Sequence, residues 1–430
     1  MTAVVDGIEA ERRSPFGDNP VVGARGARTQ RRILTGALDV FAEHGYHDSR
    51  IEQITEAAGC SRPTFYQYFS SKEDVFRALA SYVGRSVVQM TESLGRITPD
   101  ADGRAAVVAW MRAFSEFYDG FAPVFTGFSV AVRSDRGLAG ATAPVSAGFG
   151  QALRPHLVLD DGAVEPGVMA STIVTMIVRA NLLRIGSGGL VGRKRFVEAL
   201  GATVHRTLVG PVPELDDGAA GPRPARPARL RSSVPDLSPP AGRALSPQGE
   251  RMRARIVEAG VEVFPKLGYH ETRVDDVVAA AGASHGSFYR YFEGKDDLFR
   301  VLATEAAEKL IGCIDSFPGG GDAAALHGWL DTWFGLYAEH GGIIGLWRET
   351  QFPDPALEAL TKRVADVALA RLLDALGEGA VGDPLVDAMA FLGLVETVPH
   401  HVHAFGYFTQ AEAVDALVAI IRRGFLGLPA

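Results

Sequence analysis

Apolar residues along this chain recur every three or four positions. Ile33, Ala37, Val40 and Phe41 share one helical face, followed by Ile51, Ile54 and Ala58 and then by Val75, Phe76 and Leu79, the spacing of helices that each bury one stripe. The punctuation falls between these runs. Gly45 follows the first, Ser49 with Glu52 predicts a capping box for the second, Gly59 breaks the chain, and Ser61 is placed to cap a third helix. A short helix, a three-residue turn containing glycine and another short helix have the spacing of a helix-turn-helix. No segment shows the alternation of a strand, so the predicted fold class is all-α.

The same pattern returns without a gap. Residues 31–80 align with residues 254–303 at a constant shift of 223, which pairs Phe41 with Phe264 and Tyr66 with Tyr289, and about 22 of the 50 pairs are identical. A recurrence at this distance implies a duplicated domain rather than a solenoid. Weaker correspondence continues downstream, pairing Trp110 with Trp329, Tyr118 with Tyr337, and the helix led by Pro166 with that led by Pro384. The predicted organisation is a disordered tail over 1–24, a first helix-turn-helix domain over 25–85 and a first helical bundle over 86–210. A disordered linker over 211–248, a second helix-turn-helix domain over 249–303 and a second bundle over 304–430 follow. The linker is inferred from residues 211–247, rich in Pro, Ala, Gly and Arg and without apolar periodicity. Its span as a flexible coil is on the order of 30 to 40 Å.

On the second helix of the first motif, Phe65 and Phe69 lie on one face and are expected in the core, which turns Pro63, Thr64, Tyr66 and Gln67 outward, with Arg62 at the N-terminal end. The N-terminal residues of such a helix enter the major groove, so Arg62 and Thr64 are expected at base edges and Tyr66 and Tyr68 at phosphates. Pro63 costs little there, because the amide it lacks has no intrahelical partner. The second copy offers His285, Gly286, Ser287, Tyr289, Arg290 and Tyr291 at the same places. Lys72 and Lys295 each begin the next helix, where free amides and a lysine favour a phosphate. Arg28 and Arg31 belong to a basic cluster with Arg25 and Arg32, answered by Arg251, Arg253 and Arg255.

The formal net charge of −8 is no obstacle to a nucleic-acid partner, because the charge of the docking face decides. The two copies differ there. Residues 25–85 carry nine basic and seven acidic side chains, residues 249–310 nine and eleven, so the second copy is expected to hold phosphates less well.

The matching pieces FAEHGY, IEQITEAAGCSRPTFYQYF and SSKEDVF, with FPKLGYH, VDDVVAAAGASHGSFYRYF and GKDDLF in the second half, closely resemble the TetR family of bacterial transcriptional regulators. The resemblance covers roughly 55 residues of each half. It implies tandem units, each an N-terminal helix-turn-helix reader and a C-terminal helical bundle for ligand binding and dimerisation through its last two helices. It also implies a double-stranded DNA operator, a small apolar or amphipathic effector, and repression more than activation. Ordinary members are single-copy chains that pair as homodimers; here the two halves are expected to pair within one chain, on an asymmetric operator. Pro265 departs from Ala42 of the first copy near the end of the first helix, where an interior proline costs about 3 kcal/mol unless the helix ends or kinks; this puts the second reader in doubt. The alternative is a ligand-sequestering or partner-binding protein with one or both readers inactive.

The bundles carry aromatic stripes, Trp110, Phe114, Phe117, Tyr118, Phe121, Phe125 and Phe128 in the first and Trp329, Trp333, Tyr337 and Trp347 in the second. Core packing and an effector pocket are both open for Trp110, Phe114, Tyr118, Trp329, Trp333 and Tyr337. Met176 and Arg179, with Asn181, lie on an apolar helix and are candidates to orient a ligand. His400 and His403 share a helix face beside His401, but no cysteine or paired carboxylate completes a metal site, and a pocket rim or an interface is the more ordinary place for them. Cys60 and Cys313 form neither a disulfide framework nor a metal spacing. No nucleophile, paired acid and base or phosphate loop is evident, so neither an enzyme nor a cofactor is expected. Asp6, Glu9, Glu11 and Asp18 interrupt the first 24 residues, and no uninterrupted apolar stretch of membrane length is seen. A cytoplasmic protein without a membrane partner is expected.

Overall fold

The computed structural model describes residues 23–127, 148–158, 164–216, 227, 230, 245–349, 355–376, 381–406 and 408–429, the side chains of 216, 347–349, 404 and 405 excepted. Almost all of the expected tail and most of the expected linker lie outside these residues. Among the described residues every regular element is helical. The chain divides into two compact units, Met1–Val212 and Pro213–Ala430, each considered by itself.

In the first unit, helix α1 (Ala24–Asp48) breaks at Gly45, whose φ of 73° only glycine adopts without strain. Helices α2 (Ile51–Ala57) and α3 (Arg62–Tyr68) follow at once, and α4 (Lys72–Glu92) closes the domain. Ile33, Ala37, Ile54, Phe65, Val75, Phe76 and Leu79 are fully buried and Val40, Phe41 and Ala58 nearly so, so the predicted stripes find the core except at Ile51, which is half-buried. The cap of α2 differs from expectation. Arg50 is its N-cap residue, and its amide donates to Gln53 Oε1 at 2.8 Å. Ser49 instead donates to Gly45 O at 2.5 Å, because the glycine turn brings that carbonyl back over it.

Beyond α4 the first bundle contains α5 (Ala101–Gly120), α6 (Pro166–Gly186) and α7 (Arg193–Val209), with further helical turns at 122–127 and 148–153. Helices α5 and α7 pack so closely that a Cβ on Gly201 would meet Val108 Cγ2 at 2.8 Å. Helix α6 is long and apolar enough to cross a membrane by length and composition, contrary to the expectation that no stretch would be. Met169, Ile173, Met176, Ile177 and Ala180 on it are fully buried.

The second unit repeats the plan with α8 (Pro247–Leu267), α9 (Val274–Ala281), α10 (His285–Phe288) and α11 (Lys295–Asp315). Its bundle is α12 (Ala323–Glu349), α13 (Pro355–Leu376), α14 (Pro384–Phe405) and α15 (Gln410–Ile420), which ends in a π-helical turn, Ile421–Phe425. Helix enters the expected linker from both sides, at Pro213–Asp216 and at Pro247, and Leu230 within it is fully buried.

Pro265 does not break α8. It stands two residues before the helix ends at Leu267, and Gly268 beyond it, with φ of 86°, turns the chain while its amide donates to Phe264 O at 2.9 Å. The ring is seated on α12, where a Cβ on Gly342 would lie 2.4 Å from Pro265 Cγ. The proline thus costs less than its position suggests, and glycine is what makes room for it. Gly342→Ala is expected to lower stability by about 1–3 kcal/mol through overpacking, measured by chemical denaturation of the full chain, and Pro265→Ala in the same chain should recover part of that loss.

Candidate nucleic-acid interface

Each reader is assembled from its turn outward. Gly59 and Gly282 take φ of 58° and 56°, the left-handed conformation that ends α2 and α9. Arg32 Nε donates to Ala58 O at 2.8 Å and its Nη2 to Gly59 O; Arg255 Nη2 donates to Ala281 O and Gly282 O. Arg32 and Arg255, counted with the basic clusters, therefore fasten the first helix to the turn. Ser61 and Ser284 then cap the recognition helices, accepting from the amides of Thr64 at 3.3 Å and Ser287 at 3.2 Å. Their hydroxyls also lie 2.9 and 3.0 Å from those of Thr64 and Ser287.

Phe65 and Phe69, and in the second unit Phe288 and Phe292, are buried beneath the recognition helices. Arg62 and Pro63 are exposed, with Thr64, Tyr66 and Gln67 half-buried beside them. His285, Gly286, Tyr289 and Arg290 are exposed and Ser287 and Tyr291 half-buried. Arg28 is exposed with its Nε donating to Ala24 O at 3.3 Å, and Arg31 is exposed on the same helix. Tyr68 is a correction: it is 7% exposed. It stands about 60° from Phe65 on the helical wheel, inside the apolar arc rather than outside it.

Lys72 and Lys295 are a larger correction. Lys72 Nζ donates to the carbonyls of Tyr46, His47 and Ser49 at 3.0, 2.6 and 3.0 Å. Lys295 Nζ donates to those of Tyr269, His270 and Thr272 at 2.8, 2.9 and 2.9 Å. An ammonium has three donors, and all three are taken. Each also lies 5.1 Å from the centroid of a tyrosine ring, Tyr46 or Tyr269. Partial burial lowers the Lys72 pKa from its ordinary value, while Glu73 and Asp48 pull it back up. These lysines close the loop after the first helix and are not available to a phosphate.

Two contacts went unread in the sequence. Arg62 Nη2 is ion-paired with Glu52 Oε1, and His285 Nε2 lies 2.9 Å from Asp275 Oδ1. The acids stand in the first turn of α2 and α9 and the bases at the first position of α3 and α10. Both members are related by the shift of 223, and that joint change was the available signal.

The recognition helices also differ in length. The first runs seven residues with proline in its first turn, the second only four, with Gly286 where Pro63 stands. Glycine has the greater backbone freedom to lose and supports a helix less well.

In the bundles the aromatic stripes form matching ladders. Trp110 stacks on Phe114 at 5.3 Å and 18°, and Trp329 on Trp333 at 5.4 Å and 23°. Phe114 and Tyr118 follow at 6.1 Å, Trp333 and Tyr337 at 5.7 Å. All six rings are buried, and burial raises the pKa of both tyrosines. Trp329 Nε1 donates to Cys313 O at 2.8 Å and Trp333 Nε1 to Val395 O at 2.5 Å. Met176 is fully buried, Arg179 half-buried, and Asn181 Nδ2 donates to Ile177 O at 2.9 Å. His400 is half-buried and His403 exposed, one turn past Pro399 in α14. Among the described residues no group of three or more His, Cys, Asp or Glu is placed to hold a metal. The Phe128 backbone and the Trp347 side chain lie outside the described residues.

The profile of the bacterial regulatory proteins of the tetR family matches residues 33–79 and again residues 256–302, spanning α1 to α4 and α8 to α11. The chain belongs to the tetR family, with two units in tandem. Over 71 residues it is 37% identical to the uncharacterized HTH-type transcriptional regulator YdgC of Bacillus subtilis, covering 16% of this chain and 36% of that one. Over 116 residues it is 36% identical to the transcriptional activator FasR of Mycolicibacterium smegmatis, covering 26% and 51%. Over 103 residues it is 33% identical to the transcriptional repressor AcnR of Corynebacterium efficiens, covering 24% and 47%. The chain thus spans about half the length of these relatives or less. The solved structure of FadR from Bacillus subtilis in complex with stearoyl-CoA aligns with 42% of this chain and 97% of that one, at 20% identity and a TM-score of 0.34.

Because Lys72 is an internal tie, Lys72→Met is expected to lower the stability of the first reader by about 2 kcal/mol. The slope of log affinity against log salt should stay unchanged in the fraction that remains folded, whereas loss of a phosphate contact would reduce it by about 0.9.

Proposed function

We propose that this chain is an effector-responsive regulator of transcription that binds one duplex operator with two unlike readers. The observation that carries this reading is the pair of helix-turn-helix frames on one polypeptide, alike in their buried residues and unlike where they face outward. Arg62, Pro63 and Thr64 stand where His285, Gly286 and Ser287 stand in the other. A homodimer presents the same side chains twice and selects an inverted repeat; two different readers select an asymmetric site. In this reading Arg62 and Thr64 address base edges, Tyr66, Gln67, Arg28 and Arg31 the phosphates nearby, and the exposed Tyr289 and Arg290 serve the second reader with Ser287 and Tyr291. The two halves pair within the chain, as tethering at millimolar effective concentration favours. The protein works in the cytoplasm and represses by occupying its operator.

The bundles supply the effector site. A ligand shifts DNA affinity only by its differential binding to the two states, and the buried ladders at Trp110, Phe114 and Tyr118 and at Trp329, Trp333 and Tyr337 offer aromatic surface to an apolar or amphipathic molecule. Met176, Arg179, His400 and His403 are the polar and adaptable groups that orient it in this reading. One observation favours a narrower role for the second reader: its recognition helix has a single turn and its surroundings are net acidic. In that variant the first reader alone carries DNA affinity.

Selection of duplexes from a random pool by the full chain, followed by footprinting, tests the assignment. The expected site is asymmetric, Arg62→Ala relaxes preference at one position by about 1–3 kcal/mol, and His285→Ala alters the other half. Two identical inverted half-sites would sink the asymmetric reading. Light scattering is expected to show one chain per DNA-binding particle, and an obligate dimer of chains would remove the intramolecular pairing.

A further inference from the structure

The aromatic ladders of the two bundles are alike in their rings and unlike in their polar atoms. In the second bundle both indoles are bonded to helices other than their own. Trp329 Nε1 donates at 2.8 Å to Cys313 O in the last turn of α11, the helix that leaves the second reader at Lys295. Trp333 Nε1 donates at 2.5 Å to Val395 O on α14. The sequence explains the second acceptor. Pro399 lies inside α14 and has no amide to give the carbonyl four residues back, which is that of Val395. An indole reaching across from the ladder serves the carbonyl that the proline leaves.

The first bundle has neither tie. Trp110 Nε1 is buried with no partner, and Phe114, which stands where Trp333 stands, has no donor in its side chain. The offset of 218 that pairs Pro166 with Pro384 places Asn181 at Pro399 and Ile177 at Val395. Asn181 has a backbone amide, and its Nδ2 donates to Ile177 O at 2.9 Å as well, so this carbonyl is served from its own helix. Phe114 with Asn181, and Trp333 with Pro399, are two ways of meeting one carbonyl. Only the second joins it to the ladder.

We propose that Trp333 is a positioning residue that makes the second bundle the regulatory one. Its ring belongs to the surface offered to an effector and its N–H fixes α14 at the proline. A ligand that turns the ring therefore either leaves Val395 O unmet, at the cost of a buried polar group without a partner, or takes α14 with it. Helix α14 is one of the last two helices, through which the halves pair in the function proposed above, and Trp329 gives the same ladder a hold on the helix that carries the second reader. The spacing of the two readers thus answers to the second ladder, while the first bundle serves as the fixed support. This rests on the paired, two-reader function.

The alternative is that Trp333 only repairs the helix that Pro399 interrupts. A repair changes the stability of the second bundle and leaves DNA binding by the folded chain untouched. The test uses the full chain with two duplexes, one carrying both selected half-sites and one carrying the first alone, at one fixed salt concentration. The ratio of the two affinities is the gain from the second half-site, and thermal unfolding is followed in parallel. Trp333→Phe keeps a ring and removes the donor; it is expected to lower the gain about fivefold, the scale of one hydrogen bond, with affinity for the first half-site unchanged. Pro399→Ala returns an amide to Val395 O, and in that background Trp333→Phe should cost less than about twofold. Trp329→Phe, which releases α11 instead, should lower the gain with or without Pro399→Ala. Phe114→Leu in the first ladder should leave it within about twofold of wild type. A gain unmoved by Trp333→Phe, moved equally in both backgrounds, or moved as much by Phe114→Leu, overturns this inference alone. A wild-type chain that gains nothing from the second half-site overturns the two-reader function and the inference with it.

Discussion

The small reader domain depends on a half-buried ammonium group at the hinge between its first and last helices. The loop after α1 turns sharply at Gly45, and the carbonyls of Tyr46, His47 and Ser49 converge on the start of α4. Lys72 answers all three from the first position of α4, and Lys295 does the same in the other unit. Three carbonyls met by one ammonium tie the loop after α1 to the first residue of α4 and fix where that helix starts. That in turn places Phe76 of α4 against Phe41 and Tyr46 of α1. The arginine at position 32 or 255 makes the second tie, from the first helix to the turn itself. Between these two cations the recognition helix has little freedom, and its outward residues are free to vary.

This accounts for how the copies diverged. Residues that satisfy the backbone or fill the core persist across the shift of 223: Arg32 with Arg255, Phe65 with Phe288, Lys72 with Lys295. Outward residues changed, Pro63 to Gly286 and Arg62 to His285. The change of Ala42 to Pro265 is tolerated because it falls in the last turn and meets a glycine on α12. A residue that looks like damage in the sequence is a packed contact in the fold.

The helical class, the repeat and the stripes of the core were legible because period and glycine punctuation report local physics. Ser61 as a cap was legible for the same reason, since its partner is three residues away. The roles of Lys72 and Lys295 were not, because their acceptors lie 23 to 26 residues earlier and nothing local distinguishes a lysine that ties a loop from one that meets a phosphate. Tyr68 was expected at a phosphate and proved to lie within the apolar arc, 7% exposed. The cap of α2 moved by one residue because the glycine turn gave Ser49 a nearer acceptor. The lysines and Ser49 each have a partner that is distant or a backbone acceptor that competes, whereas Tyr68 is decided by its place on the helical face.

The ion pairs between the motif's helices belong to the same lesson, and they show what repetition adds. Position 52 taken alone is an ordinary exposed acid in a first helical turn, favourable to the helix dipole and without further meaning. Compared with position 275, it is one half of a pair whose other half, at 62 and 285, changed with it. A duplicated chain carries its own comparison: two solutions to one structural problem, subject to the same backbone constraints. Where both solutions keep an identical residue, as at Lys72 and Lys295, the constraint is the fold. Where they keep a relation but not the residues, the constraint is a contact, and what the contact faces is free to differ.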